Sequence, residues 1–142
     1  MTIQFSTKNL AIKILAIAFT NYAVGRVGTP ANMMVSNDDG KTFTSWSMDN
    51  DCKMLFDIKM FNTKVGFVCA ATDADITQSN ALILFTKDGG KTWEKKYQSE
   101  RPFETTWKVS FPTRKVGYVT IQSYNPDTTG KAIARCQNNR WR

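Results

Sequence analysis

The sequence predicts an all-β protein made of antiparallel four-stranded units, and three observations lead to this prediction. Short runs that alternate apolar and other residues, as half-buried strands do, recur along the 142-residue chain. Two turn motifs share one layout, SNDDGKTF at 36–43 and TKDGGKTW at 86–93. A Val-Gly-aromatic pattern also recurs, at 65–67 and 116–118. Repetition at this spacing indicates a repeat protein in which each unit forms one small sheet.

The predicted strands follow one order in each unit. The first and second strands of the three units are 15–19 and 22–25, 56–60 and 65–68, and 107–111 and 116–119. The third strands, Met33–Val35 and Ala81–Phe85, lead into the turn motifs, and the fourth strands, 41–46 and 91–97, leave them. Four short strands in about 40–50 residues match one β-propeller blade. We therefore expect antiparallel four-stranded propeller blades, about three of them, in a single partial β-propeller over 1–142, with blades at about 10–50, 51–100 and 101–142.

The residue types of the second turn motif explain its shape. Asp88 can accept hydrogen bonds from nearby backbone N–H groups, as in Asx turns. The two glycines that follow it permit positive φ. Thr86 and Thr92 flank the turn and can bond across it, and Trp93 can fold back as an apolar plug.

The motif S/T-x-D-x-G-x-T-W/F resembles the Asp box, or BNR repeat. Its matching residues are Ser36, Asp38, Gly40, Thr42 and Phe43 in the first copy and Thr86, Asp88, Gly90, Thr92 and Trp93 in the second. With its Val-Gly-Phe/Tyr strands, nearly the whole chain is most similar to Asp-box propellers of the photosystem II assembly-factor type and their bacterial relatives. Sialidase and sortilin-type propellers and some glucan hydrolases are more distant bearers of the box. The resemblance implies a structural role for these residues at the blade periphery.

The resemblance also implies a non-catalytic binding or assembly scaffold, with a protein or a glycan as partner. The natural contact residues are arginines and aromatics on loops, namely Arg26, Arg101, Arg114 and Tyr124. We expect no catalytic residue and no cofactor.

The alternative is a fragment of a glycoside hydrolase or sialidase-like enzyme. Such an enzyme needs paired carboxylates, or an arginine cluster with a tyrosine, across a cleft. The glutamates are Glu94, Glu100 and Glu104, all on one connecting segment.

Composition argues against several classes of catalytic site, metal site and partner. The chain has no histidine, which excludes histidine general bases and histidine metal ligands. The net charge is +7, but the lysines are scattered, so no nucleic acid is expected as partner. Cys52, Cys69 and Cys136 lack metal-ligand spacing and are expected to be free thiols. Asp73 and Asp75 lack the further oxygen ligands of a calcium loop, so no metal site is expected.

Aromatic residues add one expectation about packing. Trp46, Trp93 and Trp107 fall at strand positions where blades stack. We expect all three to pack in the core rather than to serve as sugar platforms.

The two ends of the chain leave alternatives open. Asn9–Val24 is mostly apolar after Lys8, which fits either an export signal or the first strand of the repeat; it is too short and polar to span a membrane. After a strand predicted at 131–135, the tail from Cys136 lacks a third turn motif. Codons for 137–142 can encode Lys-Thr-Thr-Asp-Gly-Gly in the neighbouring frame, which suggests the frame-shifted end of a longer propeller. Three blades cannot close a ring, so we expect a homo-oligomer or a fragment.

Overall fold

A computed structural model describes residues 12–17, 20–25, 31–125 and 133–140. Every regular element in these ranges is a β-strand. The strands are β1 Ile12–Ile17, β2 Thr20–Gly25, β3 Asn32–Ser36, β4 Thr44–Ser47, β5 Met54–Met60, β6 Gly66–Ala71, β7 Ala81–Thr86, β8 Glu94–Gln98, β9 Glu104–Thr113, β10 Val116–Ser123 and β11 Ile133–Arg140. Within the described residues, no helix has the length and apolar character needed to cross a membrane.

The strands form three antiparallel sheets in chain order. The first sheet is β1-β2-β3-β4, the second is β5-β6-β7-β8, and the third is β9-β10-β11. The first strands of successive sheets pack on one another, β1 on β5 and β5 on β9. The sheets therefore stack as blades around a shared inner edge, which confirms the predicted all-β partial propeller.

The inner strands of the second sheet, β5 to β7, are largely buried on both faces because the sheet lies between the other two. Val68 and Ala70 point into the core shared with the first sheet, and the alternate residues Phe67 and Cys69 point into the core shared with the third. All six residues of β6 are buried. Because successive side chains of a strand point to opposite faces of the sheet, one strand contributes residues to both cores.

Several strand boundaries differ from the predictions. The strands β4 and β8 begin at Thr44 and Glu94, three residues later than expected, because the turn motifs hold the intervening residues. The sequence predicts a strand at 131–135. In the structure β11 runs from Ile133 to Arg140 and pairs with β10 along its whole length. At the other end, β1 and β2 pair as the repeat interpretation predicts. Arg26 and Trp141 lie outside the described residues.

Candidate functional site

The first turn motif, residues 36–43, closes around the carboxylate of Asp38. Its Oδ1 accepts hydrogen bonds from Ser36 Oγ at 2.7 Å and from the backbone N–H of Thr42 at 2.8 Å, and its Oδ2 accepts the Thr42 hydroxyl at 2.6 Å. Ser36 Oγ accepts the backbone N–H of Gly40 at 2.8 Å. One carboxylate therefore ties the end of β3 to the residues that precede β4.

The second turn motif, residues 86–93, repeats this network. Thr86 Oγ1 donates to Asp88 Oδ1 at 2.8 Å and accepts the N–H of Gly90 at 2.9 Å. Thr92 donates its N–H to Asp88 Oδ1 at 3.0 Å and its hydroxyl to Oδ2 at 2.6 Å. The structure thus brings the predicted residues together within each copy.

Both motifs end on an aromatic residue. Phe43 and Trp93 are half-buried. Trp93 packs against the core between the first and second sheets.

The motif carboxylates are held in their ionised form. Hydrogen bonds from the Thr42 hydroxyl and N–H, and then from Ser36, hold the pKa of Asp38 well below its ordinary value. The Thr92 hydroxyl and N–H, and then Thr86, do the same for the pKa of Asp88. A carboxylate whose pKa is this low carries no proton to donate near neutral pH.

The two glycines of the second motif pack closely against residues outside the motif. Gly89 has φ +79° and donates its N–H to Lys64 O at 2.8 Å; a Cβ there would lie 2.8 Å from the carbonyl oxygen of Thr63. A Cβ on Gly90, at φ +90°, would lie 2.7 Å from Met33 Cε of the first sheet. The positive φ favours glycine at both positions, and at Gly89 the backbone of Thr63 also leaves no space for a Cβ.

A cleft of about 600 Å³ lies between the two motifs. Its apolar floor is Tyr22, Val35 and Trp46, and its rim is Asn37, Thr44, Thr63, Asp88, Gly89 and Lys91. Tyr22 donates its hydroxyl to Thr63 O at 2.7 Å, which fixes one wall. Trp46 is half-buried: it packs against the core, but it also lines this cleft, so the expectation of core packing holds for it only in part. Its buried indole N–H has no hydrogen-bond partner among the described residues.

The opposite end of the sheets carries the connections 48–53, 72–80 and 99–103, and we call it the loop face. Hydrogen bonds between neighbouring connections hold it in shape. The N–H of Glu104 donates to Ser79 O at 3.0 Å, and Asn80 Nδ2 donates to Ser99 O at 3.0 Å. Phe103 is held at a positive φ of 63°, an uncommon angle for an aromatic residue.

Two aromatic side chains meet where first strands begin, near the loop face. Phe56 and Trp107 are each the extra residue of a β-bulge, at corresponding positions of β5 and β9. Their ring centroids lie 5.2 Å apart. Trp107 is 40% exposed, so the expectation of core packing is wrong for this residue. The bulge turns its side chain away from the regular alternation that the prediction assumed.

Of the loop residues expected to contact a partner, Arg101 and Tyr124 lie at the loop face and Arg114 lies at the opposite end of the sheets. Arg101 forms an ion pair with the buried carboxylate of Glu104 at 2.7 Å, and both line a cleft of about 320 Å³ with Glu100. Tyr124 is 40% exposed, and its N–H donates to a backbone carbonyl of the loop face. Arg114 is exposed in the β9–β10 turn, at the other end of the sheets.

Two buried polar residues that sequence reasoning missed join the sheets. Asp57 Oδ2 accepts the N–H of Val109 at 3.1 Å, from β5 to β9. Thr106 Oγ1 lies 2.7 Å from Ala70 O and 2.9 Å from Leu82 O, so its single proton can be donated to either carbonyl of the second sheet. An aspartate inside the apolar run of β5 was the available signal.

Other reactive groups are engaged or buried. Glu94 pairs with Lys96 at 2.6 Å. Cys52 and Cys69 are buried thiols outside any disulfide, and burial raises the pKa of the Cys52 thiol to about 12. Among the described residues, no three histidine, cysteine or acidic side chains cluster as metal ligands would.

Comparison with solved structures informs the fold. No protein-family model and no curated protein matches the chain. A solved structure of YCF48 bound to a D1 peptide matches with a TM-score of 0.53 and 14% identity, covering 94% of this chain and 44% of that chain. The chain thus spans less than half the length of the YCF48 chain it matches. YCF48 is a photosystem II assembly factor with a β-propeller fold, and the similarity supports partial propeller blades here.

Proposed function

We propose that this chain is a non-catalytic binding scaffold that takes a peptide segment of a partner protein at its loop face. The observation that carries the proposal is the Phe56–Trp107 pair, two neighbouring aromatic rings on first strands, one of them 40% exposed. Exposed tryptophans next to a rigid scaffold are typical anchors of protein interfaces. The paired bulges hold the rings at the surface, so little side-chain order would be lost on binding.

The structural neighbour supports the choice of ligand class. The solved YCF48 structure contains a bound D1 peptide, so a peptide ligand is compatible with a fold of this kind. We propose the same class of ligand, a peptide, for this chain.

The turn motifs have a structural role in this proposal. The carboxylate oxygens of Asp38 and Asp88 accept hydrogen bonds from residues of their own turns. They close the hairpins between third and fourth strands, and they act as neither acid nor nucleophile. The open sheet faces would be completed by further blades, from a second copy or from a longer chain.

The hydrolase alternative has one favourable observation. Glu100 and Glu104 line the same cleft, as paired carboxylates of a glycosidase would. The carboxylate of Glu104, however, is engaged in an ion pair with Arg101. Release of a fluorogenic aglycone that is lost in Glu104→Gln but retained in Glu94→Gln would favour the enzyme.

The test of the scaffold proposal is a binding screen with mapping of the contact surface. The purified chain is offered a synthetic library of peptides, with a D1 peptide included, and hydrogen exchange is measured on each saturable complex. We expect protection of the loop face and of the start of β5 and β9. Protection confined to the 61–65 turn at the opposite end, or a lack of saturable binding, would overturn the proposal.

A further inference from the structure

The cleft between the two turn motifs has the composition of a ligand site. Its volume of about 600 Å³ lies in the usual range for small-molecule sites, and such sites combine an apolar lining with a few polar groups that fix orientation. Each motif contributes one wall, because Asn37 belongs to the first motif while Asp88 and Lys91 belong to the second.

The charges around the cleft favour a neutral ligand. Lys91 is the cationic residue of the lining and Asp88 is the anionic one, so the two formal charges cancel. The remaining polar residues of the lining are Asn37, Thr44 and Thr63, which carry no charge. Thr44 is exposed, and its hydroxyl can both donate and accept hydrogen bonds. A site for a phosphate or carboxylate ligand would instead contain a cluster of cationic side chains.

The floor of the cleft favours a ligand with one apolar face. Tyr22 and Val35 are buried beneath it, and the Trp46 indole is half-buried among the core residues. The indole N–H is itself buried, so Trp46 lines the cleft with ring carbons rather than with its donor.

From these features we infer that the cleft is a binding site for a sugar ring. A pyranose presents an apolar C–H face to an aromatic floor and hydroxyl groups to neutral donors and acceptors at the rim. This site is separate from the aromatic pair at the loop face, and it does not depend on the proposed protein-binding function.

The experiment is a titration of the full chain with methyl glycosides of glucose, galactose, mannose and N-acetylglucosamine, followed by NMR of the tryptophan indole N–H groups. We expect at least one sugar, at concentrations up to tens of millimolar, to shift the Trp46 indole signal saturably. Thr44→Val removes one exposed hydroxyl of the rim without touching the core and should weaken binding about tenfold. Trp46→Phe should weaken it similarly.

The matched control is Trp93→Phe, because Trp93 packs on the same core but does not line this cleft. It should leave the affinity within about twofold of the unmodified chain. The inference is overturned if no glycoside shifts the Trp46 signal saturably, or if Thr44→Val and Trp46→Phe bind as tightly as Trp93→Phe. Loss of peptide binding at the loop face with sugar binding retained would separate the two proposals.

Discussion

Asp57 Oδ2 accepts the backbone N–H of Val109 at 3.1 Å, so a buried carboxylate of the second sheet holds the first strand of the third sheet. Its Oδ1 accepts the N–H of Ile58 at 3.0 Å, and the residue is only 2% exposed. The bond crosses from one blade to the next beside the bulge that carries Trp107. The geometry of the proposed peptide site therefore depends on a polar contact in the interior.

Asp57→Asn should destabilise the fold. The Ile58 and Val109 N–H groups donate to different carboxylate oxygens, and asparagine replaces one of these oxygens by an NH₂ group that cannot accept. A buried donor left without its partner costs about 1–3 kcal/mol. Urea unfolding measures the loss. Asp39→Asn, on the exposed first turn, is the control and should unfold like the parent chain; equal stability of the two variants would contradict the role given to Asp57.

The turn-motif carboxylates predict an acid-sensitive stability. The folded-state pKa values of Asp38 and Asp88 lie below the unfolded value of about 3.9. Their contribution is therefore complete above that value and is lost as the pH falls below it. Melting temperatures measured from neutral to acid pH should drop below about pH 4, and the drop should shrink in the double variant Asp38→Asn, Asp88→Asn. An identical acid profile for that variant would refute the assignment.

The two motifs should respond differently at one matched position. Gly89→Ala places a Cβ against the carbonyl oxygen of Thr63 at a φ of +79°, and we expect a loss of about 1–3 kcal/mol in unfolding free energy. Asp39 occupies the same place in the first motif with φ +61°. Asp39→Gly relieves that backbone angle and should leave stability unchanged or raised. A tolerated Gly89→Ala would show that the second motif is not docked as described.

The buried thiols should be unreactive in the native protein. Burial raises the pKa of Cys52 to about 12, so the reactive thiolate is scarce at neutral pH, and Cys69 is fully buried. In a Cys136→Ser background, a thiol reagent should label neither cysteine until denaturant is added. Rapid labelling under native conditions would mean that the core between the sheets opens readily.

Local patterns predicted most of the fold, because strand alternation and turn chemistry are encoded within a few residues. The Thr86–Trp93 hairpin and the strand order of the first two sheets follow from such patterns. The contacts between blades could not be predicted in the same way. The Asp57–Val109 bond joins residues 52 positions apart, and the exposure of Trp107 depends on a bulge that periodicity does not signal.

Trp107 and Tyr118 form a matched pair for testing the binding proposal. Both are 40% exposed aromatics of the third sheet, and Trp107 is the one of the two that packs against Phe56. The measurement is the affinity of one selected peptide for Trp107→Ala and for Tyr118→Ala, each checked for an unchanged melting temperature. We expect Trp107→Ala to weaken binding at least about tenfold, whereas Tyr118→Ala should bind like the parent chain. Equal affinities, or loss only in Tyr118→Ala, would contradict it.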